Sequence, residues 1–218
     1  MGINKSGSSL VIWPIILAGI ILLIQRPVFS AEHTVDNEKK NVLFISSYDQ
    51  NFGSVPYQVE GIKSVLSEEE YRLDIEYMDT KRINTEEALE HFYTMLKYKL
   101  RFLPKYNAII VGDDAALQFA MDYQQEIFSG IPIVFLGIND FGRAREAVSG
   151  ENFTGIMEET SIKENIELAL SFNPDAKKVI AILDNSYTGI GLGNQYYNCM
   201  DLFPALSFHT INVSDYVY

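Results

Sequence analysis

Five places in this chain set acids, amides and hydroxyls in a short cluster after an apolar run. Ser46, Ser47, Tyr48 and Asp49 follow Val42–Ile45, and Asp79 and Thr80 follow Leu73–Met78. Asp113 and Asp114 follow Ala108–Val111 across Gly112, and Asn139 and Asp140 close the run Ile133–Leu136 beyond Gly137. Asp184, Ser186 and Thr188 follow Lys178–Leu183. Carboxylates and hydroxyls at such positions can pair with amine or hydroxyl groups of a ligand. The same residue types also cap helices and close turns, so at any single position both readings stand. Tyr48, Phe52, Tyr57 and Tyr187 are interleaved with these groups. Aromatic walls with a few convergent polar groups are the usual lining of a small-molecule cleft.

No reacting set accompanies them. GxSxG is absent, and no Ser/His/Asp or Cys/His set is visible. His33, His91 and His209 are scattered without metal-ligand spacing, and Cys199 is alone, so neither a metal site nor an internal disulfide is expected. Asp113-Asp114 has the look of a phosphoryl acceptor or metal pair, but no lysine closes an opposite strand. The stretch Thr188–Gly193, TGIGLG, invites a nucleotide reading. Its glycines fall at 189, 191 and 193 and so miss the GxGxxG spacing, and the stretch starts too far beyond its strand for a pyrophosphate turn. The expectation is a binding module without enzymatic activity or cofactor.

The elements that would position these residues follow from periodicity. Ala108–Val111 and Ile133–Leu136 are short apolar runs around a helical pattern, Ala116, Phe119, Ala120, Tyr123 and Ile127. Neither run alternates with polar residues, as expected of parallel strands covered on both faces. Such strand–helix–strand crossovers are right-handed, which puts the strands' C-terminal ends, and the polar clusters, on one edge. In open α/β sheets that edge holds the ligand. Before this unit, Val55, Val59, Ile62 and Leu66 predict a helix, and Asn84 with Glu87 reads as a capping box for the next. After it, a loop carrying Gly142 and Gly150 leads to a strand at Phe153–Met157, and Ser161 with Glu164 forms a second capping box. A strand at Lys178–Leu183, a helix marked by Leu192, Tyr196, Cys199 and Phe203, and a strand at Phe208–Val213 complete the pattern. The fold class is α/β: a doubly wound parallel sheet, with its first five strands in the order 2-1-3-4-5, followed by the start of a second α/β lobe.

Composition narrows the partners. The formal charge of −12 argues against nucleic acid, whose phosphates require a basic footprint. Lys97, Lys99, Arg101 and Lys105 read as a solvated helix face. Lys5 precedes an uncharged run from Leu10 to Ile24, about 15 residues long, which fits an export segment. A signal peptide cleaved after Ser30 and an uncleaved signal anchor both suit it, the latter being shorter than the ~20 residues of a full span. Either places the body outside the cytoplasm, secreted or held at the membrane. The organisation expected is residues 1–30 for export, 31–40 as linker, 41–157 as a first ligand-binding lobe and 158–218 as an incomplete second one.

Several stretches together carry a family resemblance: VLFISSYDQNFGSVPYQVEGIKSVL, EYMDTKR, IIVGDDAALQFAMDY, PIVFLGINDF, TGIMEE and the TG after ILDNSY. The chain resembles the ABC-transporter substrate-binding-protein-like family, above all its branch in the extracytoplasmic sensor regions of bacterial histidine kinases and diguanylate cyclases. The resemblance implies a type I periplasmic-binding-protein fold, two α/β lobes closing on a small ligand. By analogy Ser47, Tyr48, Asp49, Asp113, Asp114 and Asn139 would face the ligand from the first lobe, and Asp184, Tyr187 and Thr188 from the second. Many relatives carry a Pro-Trp pair after strand one, where this chain has Ser54-Val55 and then Pro56. An amino acid or nucleoside suits the acid-rich rim. Two roles share this fold: a sensor input domain that dimerises or drives a membrane helix, and a solute-binding component that docks on a transporter permease.

Overall fold

A computed structural model describes residues 39–215. The expected export segment, its Ser30 boundary and most of the linker lie outside them. Among the described residues no helix is long and apolar enough to cross a membrane.

Strands β1 (Lys40–Ser46), β2 (Tyr71–Tyr77), β3 (Ala108–Gly112), β4 (Ile133–Ile138) and β5 (Phe153–Met157) form one sheet in the order β2-β1-β3-β4-β5. Every pairing is parallel. This is the predicted order, and it follows from the residues. Leu43 and Ile45 are buried, and so is Phe44 on the opposite face of β1, so the strand is covered on both sides. Leu43, Ile45, Ile109, Val111, Ile133 and Phe135 share a core with Phe92 and Leu96 of α2 (Glu86–Lys99) and with Leu117, Phe119 and Ala120 of α3 (Asp113–Ile127). Helix α1 (Val55–Val65) carries Pro56 in its first turn, where a missing N–H costs nothing, and buries Val55.

Four local expectations are corrected. The stretch after Asp140, read as a glycine-bearing loop, is the helix α4 (Phe141–Ser149). Asp140 Oδ1 accepts the Arg143 N–H at 3.1 Å, and Ala144 and Ala147 are buried in the core, so a cap and two small apolar residues outweigh Gly142. Helix α2 is capped by Thr85, whose hydroxyl accepts from Ala88 N, and not by Asn84. Ser161 does precede α5 (Ile162–Phe172) but makes no side-chain cap bond. The basic cluster is only partly free, because Lys97 pairs with Glu126 and Lys99 with Glu76.

Beyond β5 the chain builds a second sheet from β6 (Lys178–Leu183) and β7 (Ser207–Asn212), parallel and in unbroken register from Lys178↔Ser207 to Leu183↔Asn212. Helix α6 (Tyr187–Asn198) connects them, and its Tyr196 hydroxyl donates to the carbonyls of Val179 and His209, tying the helix to both strands. Helix α5 flanks β6 along an apolar groove of about 590 Å³. Ile180 and Ile182 are largely exposed there.

Candidate functional site

The C-terminal ends of β1 to β5 meet the start of α6 around a cleft of about 530 Å³. Its walls are Tyr48, Phe52, Ser54, Gln58, Lys81, Asp113, Gly137, Ile156, Met157, Glu158 and Thr188. Tyr48 leaves β1 with its ring tilted against Phe52, centroids 4.3 Å apart. The Lys81 ammonium lies 5.4 Å from the same ring, close enough for a cation–π contact. The Tyr48 hydroxyl meets Thr188 Oγ1 at 2.8 Å. Burial, reinforced by the Asp113 charge, raises the phenol well above its ordinary range, so it stays neutral.

Asp113 is the central group. It is the first residue of α3, yet it does not cap that helix. Its φ of 69° turns the side chain away, and Gln58 Nε2 donates to Asp113 Oδ2 at 3.0 Å. Aspartate tolerates this left-handed backbone better than most residues. The cap of α3 comes instead from the residue just after β1, Ser47, whose Oγ accepts from Ala116 N at 2.8 Å. Opposite Asp113, the β4–β5 register breaks between Phe135 and Ile138. Gly137 sits in that irregularity with φ 70°, and a Cβ there would lie 3.3 Å from Asp113 Oδ1. Only glycine gives this backbone without strain and leaves the carboxylate room. Burial pushes Asp113 up to about 6, with Asp114 and Glu158 adding to the rise while the Gln58 bond and Lys81 oppose it. A carboxylate so placed is short of partners and gains from a cation brought beside it.

The nine residues named from sequence separate into two groups. Tyr48, Asp113 and Thr188 line the cleft, and Tyr187 lines a small adjoining recess with Thr80, Asn84 and Ser186. The others hold the frame. Ser47 Oγ also donates to Gly112 O at 2.7 Å, and Asp49 Oδ1 accepts from Asn51 N at 2.9 Å. Asp114 is fully buried, and its Oδ1 accepts the Asn139 and Asp140 N–H groups at 3.0 Å each. Burial raises Asp114 despite those two bonds and the nearby Thr188 hydroxyl, all of which lower it. Asn139 Nδ2 donates to Glu158 Oε2 at 3.3 Å. Asp184 holds Ser186, the cap of α6; burial works against its ionised form, but the Ser186 bonds and Lys81 outweigh it and lower the carboxyl.

Gln58, Lys81 and Glu158 were not anticipated. Lys81 and Glu158 follow the ends of β2 and β5, so reading every residue type after every strand would have found them. Gln58 lies inside α1, and its role depends on the backbone turn at Asp113, which sequence does not display.

The profile of the ABC transporter substrate binding protein family matches residues 52–190. The chain belongs to that family. No curated protein matches it. Among solved structures, an ABC domain of Streptococcus pneumoniae in complex with L-Trp superposes with a TM-score of 0.60 at 13% identity, covering 80% of this chain and 57% of that one. A conserved domain protein of Vibrio cholerae O1 biovar El Tor gives 0.58 at 11% identity, with coverages of 80% and 57%. A solute binding protein of a Rhodopseudomonas palustris ABC transporter, in complex with 3,4-dihydroxybenzoic acid, gives 0.50 at 12% identity, with coverages of 80% and 47%. At these identities the likeness is one of fold, that of a type I periplasmic-binding-protein lobe. This chain spans about half the length of each structure. The cleft in this family member has an aromatic wall in Tyr48 and Phe52, a buried carboxylate in Asp113 and a cation in Lys81.

Proposed function

We propose that the cleft binds a small molecule carrying an ammonium group or several hydroxyls, an amino acid or a nucleoside, and that this domain is the extracytoplasmic input region of a membrane-bound signalling protein. The observation that carries the ligand reading is Asp113. Its carboxylate is buried, raised to about 6 and yet lines the cleft, so a ligand ammonium would supply the partner that water supplied before burial. Lys81 at the rim suits a carboxylate on the same ligand, and Tyr48 and Phe52 offer an apolar face. The pneumococcal relative's L-Trp has this distribution of groups.

The signalling role is supported by the apolar run Leu10–Ile24, with the single cysteine far away at Cys199, so that a lipid-anchored form has no acceptor thiol near the export segment. Ligand closure would then be passed to a membrane helix. The second reading, a solute-binding component of an uptake transporter, is favoured by the family match itself.

Thermal shift of the purified full chain against L-amino acids, amines without a carboxylate, and nucleosides tests the ligand class. A ligand at a hundred times its Kd should stabilise by about 2.7 kcal/mol. If no member of the panel stabilises wild type more than Asp113→Asn, the ligand reading fails. Uptake of the best ligand by cells lacking the gene separates the two roles: unchanged uptake with a lost transcriptional response supports the sensor, and lost uptake sinks it.

A further inference from the structure

Helix α6 opens in the TGIGLG stretch, and its three glycines face different bodies. A Cβ on Gly189 would come within 2.2 Å of Asp184 Oδ1, and one on Gly193 within 3.2 Å of Leu183 Cδ1, both on the helix's own sheet. A Cβ on Gly191 would instead lie 2.8 Å from Asp140 N and 2.9 Å from Asn139 C, at the end of the first sheet. Thr188, Gly191 and Gln195 recur at helical spacing on one face. That face is the one turned to the first sheet, since Thr188 meets Tyr48 and Gln195 meets Asn139.

Gln195 is buried and uses both ends of its amide. Nε2 donates to Asn139 O at 2.8 Å and to Glu158 O at 3.3 Å. Oε1 accepts from Thr160 N at 3.2 Å and from Thr160 Oγ1 at 2.6 Å. A flipped amide would set its oxygen against two carbonyls, so a single orientation serves. Residues 158–161 carry the chain out of β5 and into α5, the passage from the first sheet to the second. One side chain therefore joins the end of β4, the passage and α6.

We propose that Gln195 is a positioning residue that clasps this passage to the first sheet, and that Gly191 is the contact on which α6 is seated, so that together they hold the second sheet against the mouth of the cleft. Three observations converge on it. Buried amides need their partners, and losing Gln195 would take the donor from the buried Asn139 carbonyl and release the Glu158 carbonyl and Thr160 from the clasp at once. The close backbone approach at Gly191 admits no side chain. Thr188 stands one turn earlier on the same face, so the seat of α6 decides whether Thr188 reaches Tyr48 and shapes the cleft wall.

The experiment uses the purified full chain without ligand, so its outcome is independent of the ligand proposed above. Gln195→Glu keeps the volume and the acceptor for Thr160 but, as a carboxylate, cannot donate to Asn139 or Glu158, and if protonated can donate to only one of them. Hydrogen exchange in 158–161 and in Tyr187–Asn198 should quicken about tenfold, while β3 is unchanged. Unchanged exchange, or equal acceleration in β3, overturns the proposal, the latter because Gln195 would then be an ordinary core residue. The seat is read by the distance between spin labels at Lys63→Cys and Asp201→Cys with Cys199→Ser. Gly191→Ala should lengthen and broaden it, and Gly193→Ala should not, although both substitutions favour helix equally. Equal distributions for the two alanine variants overturn the role of Gly191.

Discussion

The Tyr48 phenol and the Thr188 hydroxyl meet at 2.8 Å although 140 positions separate them, linking the end of β1 to the first turn of α6. The bond lies in the cleft wall, and both partners are lost to it if either changes. Tyr48→Phe and Thr188→Val should each destabilise the protein by about 1 kcal/mol, the net worth of a neutral hydrogen bond. The double variant should cost little more than either single one, because the pair is coupled. Urea unfolding of the four proteins measures this, and fully additive losses would show that the hydroxyls act separately.

Asp113, buried in the cleft wall, makes the fold less stable at neutral pH. Its carboxyl titrates near 3.8 in the unfolded chain and at about 6 in the folded one. Between those values the folded state holds the extra proton, so stability rises as pH falls through 6 and is reduced above it. The rise corresponds to about 3 kcal/mol at most, at neutral pH. Asp113→Asn keeps a residue that tolerates positive φ and removes the charge. It should unfold at higher urea than wild type at pH 7.5 and match it near pH 4. Its affinity for an ammonium-bearing ligand should fall. A variant less stable than wild type at both pH values would contradict this account.

Ser47 predicts the reverse pattern. Its hydroxyl caps α3 through Ala116 and donates to Gly112, fully inside the protein. Ser47→Ala should cost about 1–2 kcal/mol, the range for a lost cap, since Gly112 O keeps the Ser47 N–H at 3.0 Å. Calorimetric titration of the folded variant should return the wild-type affinity. A reduced affinity with unchanged stability would place Ser47 in contact with the ligand after all.

These opposed residues show what the sequence made legible. Runs such as Ala108–Val111 and Ile133–Leu136 are apolar at every position, as parallel strands with helices on both faces usually are, so the first sheet was readable even though Val134 is left exposed. Asp113 and Asp114 stand side by side and are chemically identical, yet one lines the cleft and the other holds two backbone N–H groups. What separates them is the left-handed turn at Asp113. Nothing local in the sequence marks that turn; the space for it is made by Gly137, on another strand. Helix α4 was hidden for a simpler reason: its glycine at 142 and its short apolar face do not rise above the background of a loop. Glu158 and Lys81 were hidden because a lysine or glutamate at a strand end looks like an exposed solubilising charge.

Lys81 and Glu158 provide the last prediction, and its strength lies in opposite signs. Both line the cleft with Asp113, Lys81 lowering its carboxyl and Glu158 raising it. Lys81→Met removes a stabilising cation and should move the Asp113 titration above 6. Glu158→Gln removes a repelling anion and should move it below. Carbon-detected NMR of the side-chain carboxyls, followed from pH 4 to 8, reads both shifts directly. Stability must follow with the same signs. A higher folded pKa means a larger loss of stability at neutral pH, so Lys81→Met should unfold more easily at pH 7.5 relative to pH 5 than wild type does. Glu158→Gln should show the smaller difference. Asn139 Nδ2 donates to Glu158 and can donate equally to a glutamine oxygen, so that bond need not change. If both variants move the titration in the same direction, its shifts come from altered burial rather than from charge. The cleft would then lack the opposed cation and anion on which a zwitterionic ligand depends.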